Sequence, residues 1–410
     1  MVLFKNLVII DMQICFFEDD RCDAFQPLTL TRPVDNLRIG IDTISEKWKK
    51  ALGTSAKSRL LRTELAEVFS RGKIASNESC LWINSRYLPS DNLVERIKDL
   101  GDGQCLKHNK TIIAARVTGS DSKLWHKKNS PNFSNLFVLE SPDFTSITHL
   151  WDLLQLNGQE IEQDIARYTI PKPSSGTKAG NVELQHPENI YIQEGATIES
   201  GCVLIADDGP IFIGRNATVM AGTHIRGPAA ICKDAVIKMG AKIYGNTTVG
   251  PVCKVGGEVN TTIFHSYSNK GHDGFVGHSL IGQWCNLGAD TNTSNLKNNY
   301  SSIRINKWSD RQEIETGQQF LGTIMGDHCK TAINTQLNTG SMCGVCCNIF
   351  SADFPPKLIP SFSWVGSNVI QTYKLDKAFE AMEAMMLRRD VPLTDEYRQM
   401  MTQIFESRTP

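Results

Sequence analysis

Residues 211–255 read IFIGRNATVMAGTHIRGPAAICKDAVIKMGAKIYGNTTVGPVCKV, and a branched aliphatic returns at every sixth position. Ile213, Val219, Ile225, Ile231, Ile237, Ile243, Val249 and Val255 follow one another without a miss. A helix repeats every ~3.6 residues and a lone strand every ~2, so neither explains this step. Short strands joined by tight corners do: each hexad supplies one strand and one corner, and its aliphatic points inward. The stretch predicts a left-handed parallel β-helix of hexapeptide repeats.

The pattern extends both ways. Ile192 and Ile198 begin it, and Ala206–Pro210 (ADDGP) shifts its register. After Val255 it loosens, then returns at Ile281–Leu287 and at Met325–Leu337. Between these lies Ser294–Phe320, polar, rich in asparagine and too long for a corner. It reads as a projecting loop, the kind of segment that carries function. The coil is thus placed at 186–365. Behind it, Leu375, Phe379, Met382 and Met386 stand at helical spacing within Lys374–Arg389, and Asp395–Phe405 follows Pro392. These predict a helical cap in 366–410, closing an otherwise open solenoid end.

Residues 1–185 carry a different pattern. Leu7–Asp11, Leu81–Asn84 and Leu136–Leu139 read as strands, and Asn36–Ala51 and Leu93–Leu100 as helices, which predicts an α/β domain. Pro171–Asn181 (PKPSSGTKAGN) reads as its linker to the coil.

A net charge of −1 over 410 residues gives no footprint for nucleic acid or an acidic membrane. The longest early apolar stretch, Leu7–Ile10, is broken by Asp11, so neither a membrane span nor a signal peptide is expected. The twelve cysteines then read as reduced thiols of a cytoplasmic protein. Cys343, Cys346 and Cys347 form a CxxCC cluster with no second pair nearby, which favours packing over zinc.

The stretch Gly271–Asn295, GHDGFVGHSLIGQWCNLGADTNTSN, resembles the acetyltransferase half of GlmU, the bifunctional enzyme that makes UDP-N-acetylglucosamine. The chain as a whole is similar to a divergent bacterial GlmU-like family. The resemblance rests on QPLTLTRPVDNLRIG (Gln26–Gly40), MGAKIYGNTTVGP (Met239–Pro251), SNKGHDGFVG (Ser268–Gly277), TSNLKNNY (Thr293–Tyr300) and IPSFSW (Ile359–Trp364).

That resemblance implies acetyl transfer from acetyl-CoA to an amino sugar 1-phosphate, in a homotrimer. Such chemistry needs a base for the amine proton and donors for the developing oxyanion. His272 falls on the family's general base, and imidazole suits that work near neutrality. Asn295 matches the asparagine that begins the family's projecting loop. Phe275 stands where the family has a tyrosine, and Asn260 where it has a phosphate-binding lysine. Lys254, Lys270, Lys297 or Arg304 is expected to supply that charge, with Tyr300 nearby. Ala289 matches a residue whose backbone meets the acyl-CoA thioester.

The resemblance also implies uridylyl transfer from UTP in the N-terminal half, with Mg²⁺. The glycine-rich phosphate loop is missing, since the first glycine is Gly40. Arg21 and Arg32 are the expected replacements, as cations able to meet phosphate bidentately. The strand Leu81–Asn84 lacks the metal-holding aspartate at its end, and Asp91 comes too late. Two further readings stay open. One is a non-catalytic trimeric scaffold binding nucleotide sugars. The other is a zinc hydratase using His265, His272 and His278, whose last two members the six-residue step would place at equivalent points of successive strands.

Overall fold

The computed structural model describes residues 13–54, 58–167, 176–367 and 369–408. The expected strand Leu7–Asp11 and part of the expected linker lie outside these. Two units divide the chain. The first comprises residues up to Cys22, Arg32–Leu37 and Asp42–Thr148; the second comprises Asp23–Thr31, Arg38–Ile41 and His149 onward. The second unit takes in the chain from His149 onward, where the sequence suggested a domain with its linker running to residue 185.

The first unit is an α/β layer. Among the described residues its main sheet comprises β1 (Gln13–Phe17), β2 (Ser58–Arg59), β3 (Cys80–Asn84), β4 (Gln104–His108), β5 (Thr111–Val117) and β6 (Phe137–Glu140). They lie in the order β2-β1-β3-β5-β4-β6. β1 runs parallel to β2 and β3, β5 is antiparallel to β3 and β4, and β6 is parallel to β4. β1 and β3 are buried at every residue, as the central strands of a covered sheet must be. The helices are α1 (Ile44–Leu52), α2 (Asp91–Lys98) and α3 (Gly119–Lys128). α1 starts at a reciprocal Thr43–Glu46 capping box and stops at Gly53 in the left-handed region, signals that begin and end a helix whatever its surroundings.

The second unit is the coil. Its parallel strands stack into three faces. One face holds Glu183–Gln185 to Phe275–Gly277, a second Ile190–Ile192 to Leu358–Ile359, and a third Thr177–Lys178 to Asn269–Lys270. Ile213 pairs with Ile231 and Ile231 with Val249, so three hexads make one turn. All eight hexad aliphatics are at most 2 % exposed. Each stacks on its own kind one turn away, and burial of each stabilises the coil by ~1.5–3 kcal/mol. ADDGP is absorbed at a corner: Ile192 still pairs with Ile213, the extra residues bulging outward. Cys343, Cys346 and Cys347 are buried in the coil, and burial pushes the Cys346 thiol up to about 12.

Three helices lie on the coil. α4 (Leu150–Arg167) packs Ile161 and Ile165 against Phe212, Ala230 and Cys232. Its buried Asn157 accepts from the Gly40 N–H and donates to the Asn246 carbonyl. α5 (Leu375–Leu387) and α6 (Asp395–Ser407) match the expected C-terminal helices. They run along a corner of the coil, with Phe405 against Phe362, Tyr397 hydrogen-bonded to His328 at 2.9 Å, and Arg389 reaching Asn269. The open edge itself is finished by Ile370–Thr372, which turns antiparallel against Ser363–Val365.

Candidate functional site

The inward ladder changes character at Lys270. This residue pairs in register with Val255, so its side chain enters the coil where an aliphatic stood one turn before. It is 1 % exposed, and its Nζ donates to the carbonyls of His272 at 2.6 Å and Asp273 at 3.1 Å. Burial lowers the ammonium to about 8, while the Asp273 and Asp290 carboxylates pull the other way. The sequence reading gave Lys270 to the substrate; the fold gives it to the loop 271–274, whose backbone it ties down. Gly274 completes that loop at φ +112, where a Cβ would stand 2.4 Å from the Thr291 carbonyl oxygen.

His272 rides on this loop, exposed, and lines a cavity of about 460 Å³. Lys238, Lys254, Arg388 and Arg389 share the lining, and among the described residues no carboxylate does. Partial burial and the neighbouring Arg389, Lys238 and Arg388 hold the Lys254 ammonium below its usual range. Like charges gathered in one cleft favour an anion. Tyr267 and Trp284 stack on the same wall with ring centroids 4.3 Å apart, and the Gly288–Ala289 turn also borders the space. Of the residues expected from sequence, His272, Lys254 and Ala289 thus meet. Lys238, Tyr267, Trp284, Arg388 and Arg389 were missed. The adjacent arginines just past a helical stretch were the visible signal.

Asn295 goes elsewhere. Phe275 N–H donates to the Asn292 side chain and Gly277 N–H to that of Thr293, so the chain 292–295 runs over the strand 275–277. Asn295 is carried to the far end of that strand, beside His278. There its Nδ2 donates to His278 Nδ1 at 2.9 Å. Phe275 lies near this end: a Cβ on Gly277 would touch both its ring and the Asn295 amide. Lys297 donates to the Ser302 carbonyl within its own loop, Arg304 pairs with Glu313 and Glu315 across a hairpin, and Tyr300 is 65 % exposed.

The three histidines considered for zinc are not equivalent. Six residues make a third of a turn, so His272 and His278 occupy successive corners, and His265 sits on a strand between other corners. Among the described residues no group of His, Cys, Asp and Glu is placed to hold a metal.

In the first unit, Glu18 and Asp19 follow β1 at the edge where parallel strands end, the usual ligand crevice of such sheets. Arg86 binds both Asp19 oxygens, at 2.8 and 2.5 Å, and Asn84 adds a bond at 2.9 Å. Burial would raise Asp19, but these bonds from Arg86 and Asn84 hold it below the usual range. Arg62 holds Glu18 at 3.0 Å, and Arg59 holds Asp35 in a buried bidentate pair. Mg²⁺ prefers carboxylates unencumbered by other cations; these do not fit it. Arg21 is exposed on the turn after Asp19, whereas Arg32 is 1 % exposed, so phosphate would have to enter the protein to reach it.

Residues 14–171 match the sugar nucleotidyl transferase family. In sequence order, a segment similar to sugar nucleotidyl transferases is followed by a parallel β-helix of hexapeptide repeats. The bifunctional protein GlmU of Methanocaldococcus jannaschii is 30 % identical over 197 residues, covering 48 % of this chain and 41 % of that one. The bifunctional sugar-1-phosphate nucleotidylyltransferase/acetyltransferase of Sulfurisphaera tokodaii is 29 % identical over 144 residues, 35 % of each. A solved UDP-N-acetylglucosamine acyltransferase from Arabidopsis aligns over 58 % of this chain and 89 % of its own, at 14 % identity and a TM-score of 0.25. The chain is similar to these bifunctional proteins over part of its length, and it spans less than half the length of either curated relative.

Proposed function

We propose that the coil transfers an acetyl group from acetyl-CoA to the amine of an amino sugar 1-phosphate, with glucosamine 1-phosphate the first acceptor to test. The chain would serve sugar-nucleotide biosynthesis as a cytoplasmic homotrimer. The observation that carries this reading is the cavity at His272: an exposed imidazole beside four cations and two stacked aromatic rings.

The chemistry follows from those groups. Lys238, Lys254, Arg388 and Arg389 hold phosphates, those of the donor or of the sugar, by charge-assisted bonds. Tyr267, backed by the buried Trp284, offers a flat face to a base. His272 takes a proton as the amine nitrogen bonds to the acetyl carbon. The carbon–sulfur bond breaks as the intermediate collapses, and the imidazolium returns its proton to the leaving sulfur. Lys270 contributes by fixing the backbone that carries the base, because misplacement by ~1 Å is costly in rate. The test is release of free thiol from acetyl-CoA by purified protein with glucosamine 1-phosphate. Turnover in His272→Ala equal to wild type would end the assignment.

Similarity to the bifunctional relatives supports uridylyl transfer in the first unit. Formation of UDP-N-acetylglucosamine from UTP and the sugar 1-phosphate is its measurement, and a negative result confines the chemistry to the coil.

A further inference from the structure

A second cavity, of about 320 Å³, lies beneath the returning limb of the 294–320 loop, between that limb, α4 and the corner that carries His278. Its chemistry is opposite to that of the first. Among the described residues, no charged side chain lines it. Rings and amides make up most of its walls, beside Leu154 and Thr261: Trp151, Phe320 and His278 supply rings, and Asn246, Gln318 and Gln319 are among the amides.

His278 is the informative member. It holds φ +47, the left-handed conformation that the corner residues Tyr267, Trp284 and His328 also adopt. Its ring stacks on Phe320 with centroids 5.1 Å apart, and Phe320 leaves 42 % of its surface exposed beside it. Burial lowers His278 to about 4, so the ring is neutral near pH 7. Because Asn295 donates to Nδ1, the proton sits on Nε2. Among the described residues Nε2 has no protein partner. A partly buried donor without one favours a ligand acceptor or water.

We propose that this cavity binds an uncharged sugar ring, its apolar face against Phe320 and a ring or acetamido oxygen accepting from His278 Nε2. Amides both donate and accept, as sugar hydroxyls do, and Asn246 and Gln319 are exposed at the rim. An anion would lack a counter-charge here and a cation would lack a carboxylate, so either would pay desolvation without return. The volume falls at the lower end of small-molecule sites, about 300–1,000 Å³, which suits one ring. The inference does not depend on the acetyl-transfer reading.

The experiment is titration of the full chain, by calorimetry and ligand-observed NMR, with N-acetylglucosamine and with glucose, against glucose 1-phosphate as the charged counterpart. Wild type should bind a neutral sugar. His278→Asn keeps a residue that tolerates the left-handed corner, and Phe320→Ala removes the platform. Each should weaken binding roughly ten-fold or more with an unchanged melting profile, while Lys377→Ala, exposed on α5 outside both cavities, leaves it unaltered. Binding of the phosphorylated sugar alone, no saturable binding of either neutral sugar, or equal affinity in His278→Asn would overturn the proposal.

Discussion

Two histidines six residues apart sit at two corners of one coil and have opposite surroundings. His272 is exposed on a glycine-flanked loop, facing four cations. His278 is partly buried, pinned by Asn295, stacked on Phe320 and bordered by no charge. The first ring is open to an incoming molecule, whereas the second is held as a neutral donor. On the two proposals the same side chain would act as a base in one place and as a recognition group in the other, according to whether the fold surrounds it with solvent and cations or with amides and rings.

The largest effect should come from breaking the first site. His272→Ala is expected to lower acetyl transfer by about 10²–10⁴-fold, the usual contribution of a general base, with neutral-sugar binding at the second cavity untouched. Thiol release and calorimetry on the same preparation read both. Removing Arg388 and Arg389 together should raise the KM for acetyl-CoA by roughly ten- to a hundred-fold, with a smaller change in kcat and a flatter dependence of KM on salt.

Lys270 sharpens the contrast from inside the coil. Lys270→Leu restores an aliphatic to the ladder, so the urea midpoint at pH 7 should rise while kcat falls by about ten-fold. The pH dependence has a definite sign. Lys270 titrates at about 8 when folded and near its ordinary value of 10.5 when unfolded. Between those values the unfolded chain binds more protons, so this residue's contribution to stability increases as pH rises from about 8 to 10.5. That rise should vanish in Lys270→Leu.

The smallest effect belongs to His278. Its ring titrates at about 4 folded against 6.5 unfolded. Its contribution is therefore fully present above pH 6.5 and is lost as pH falls from there towards 4. His278→Asn should flatten the urea midpoint across that window and leave kcat within about two-fold of wild type.

The coil was legible because inward positions repeat with a fixed step, and burial enforces that step in the residues themselves. The interruption at Lys270–Gly274 was equally visible, and it is where His272 stands. The fate of Asn295 was not: which corner it reaches depends on the pairing of 292–293 with 336–337, a contact between distant residues. Lys270 misled for a related reason, since a lysine reads as exposed until its register with Val255 is known. In the first unit, Cys80–Asn84 could be read from its apolar run, whereas β4 and β5 pair across mixed residues that carry no clear period. α4 was missed because its company is the coil and not the domain that precedes it.

The three-hexad turn has one more consequence. Angular phase and core identity are separate properties here. Extra residues at a corner, as at ADDGP, leave every later strand on its own face. Removing one whole hexad, 237–242 for example, would keep the aliphatics inward and yet rotate everything downstream by a third of a turn. Such a deletion should fold with its core intact and present His272 to a different side of the molecule, separating what keeps this protein folded from what aims it.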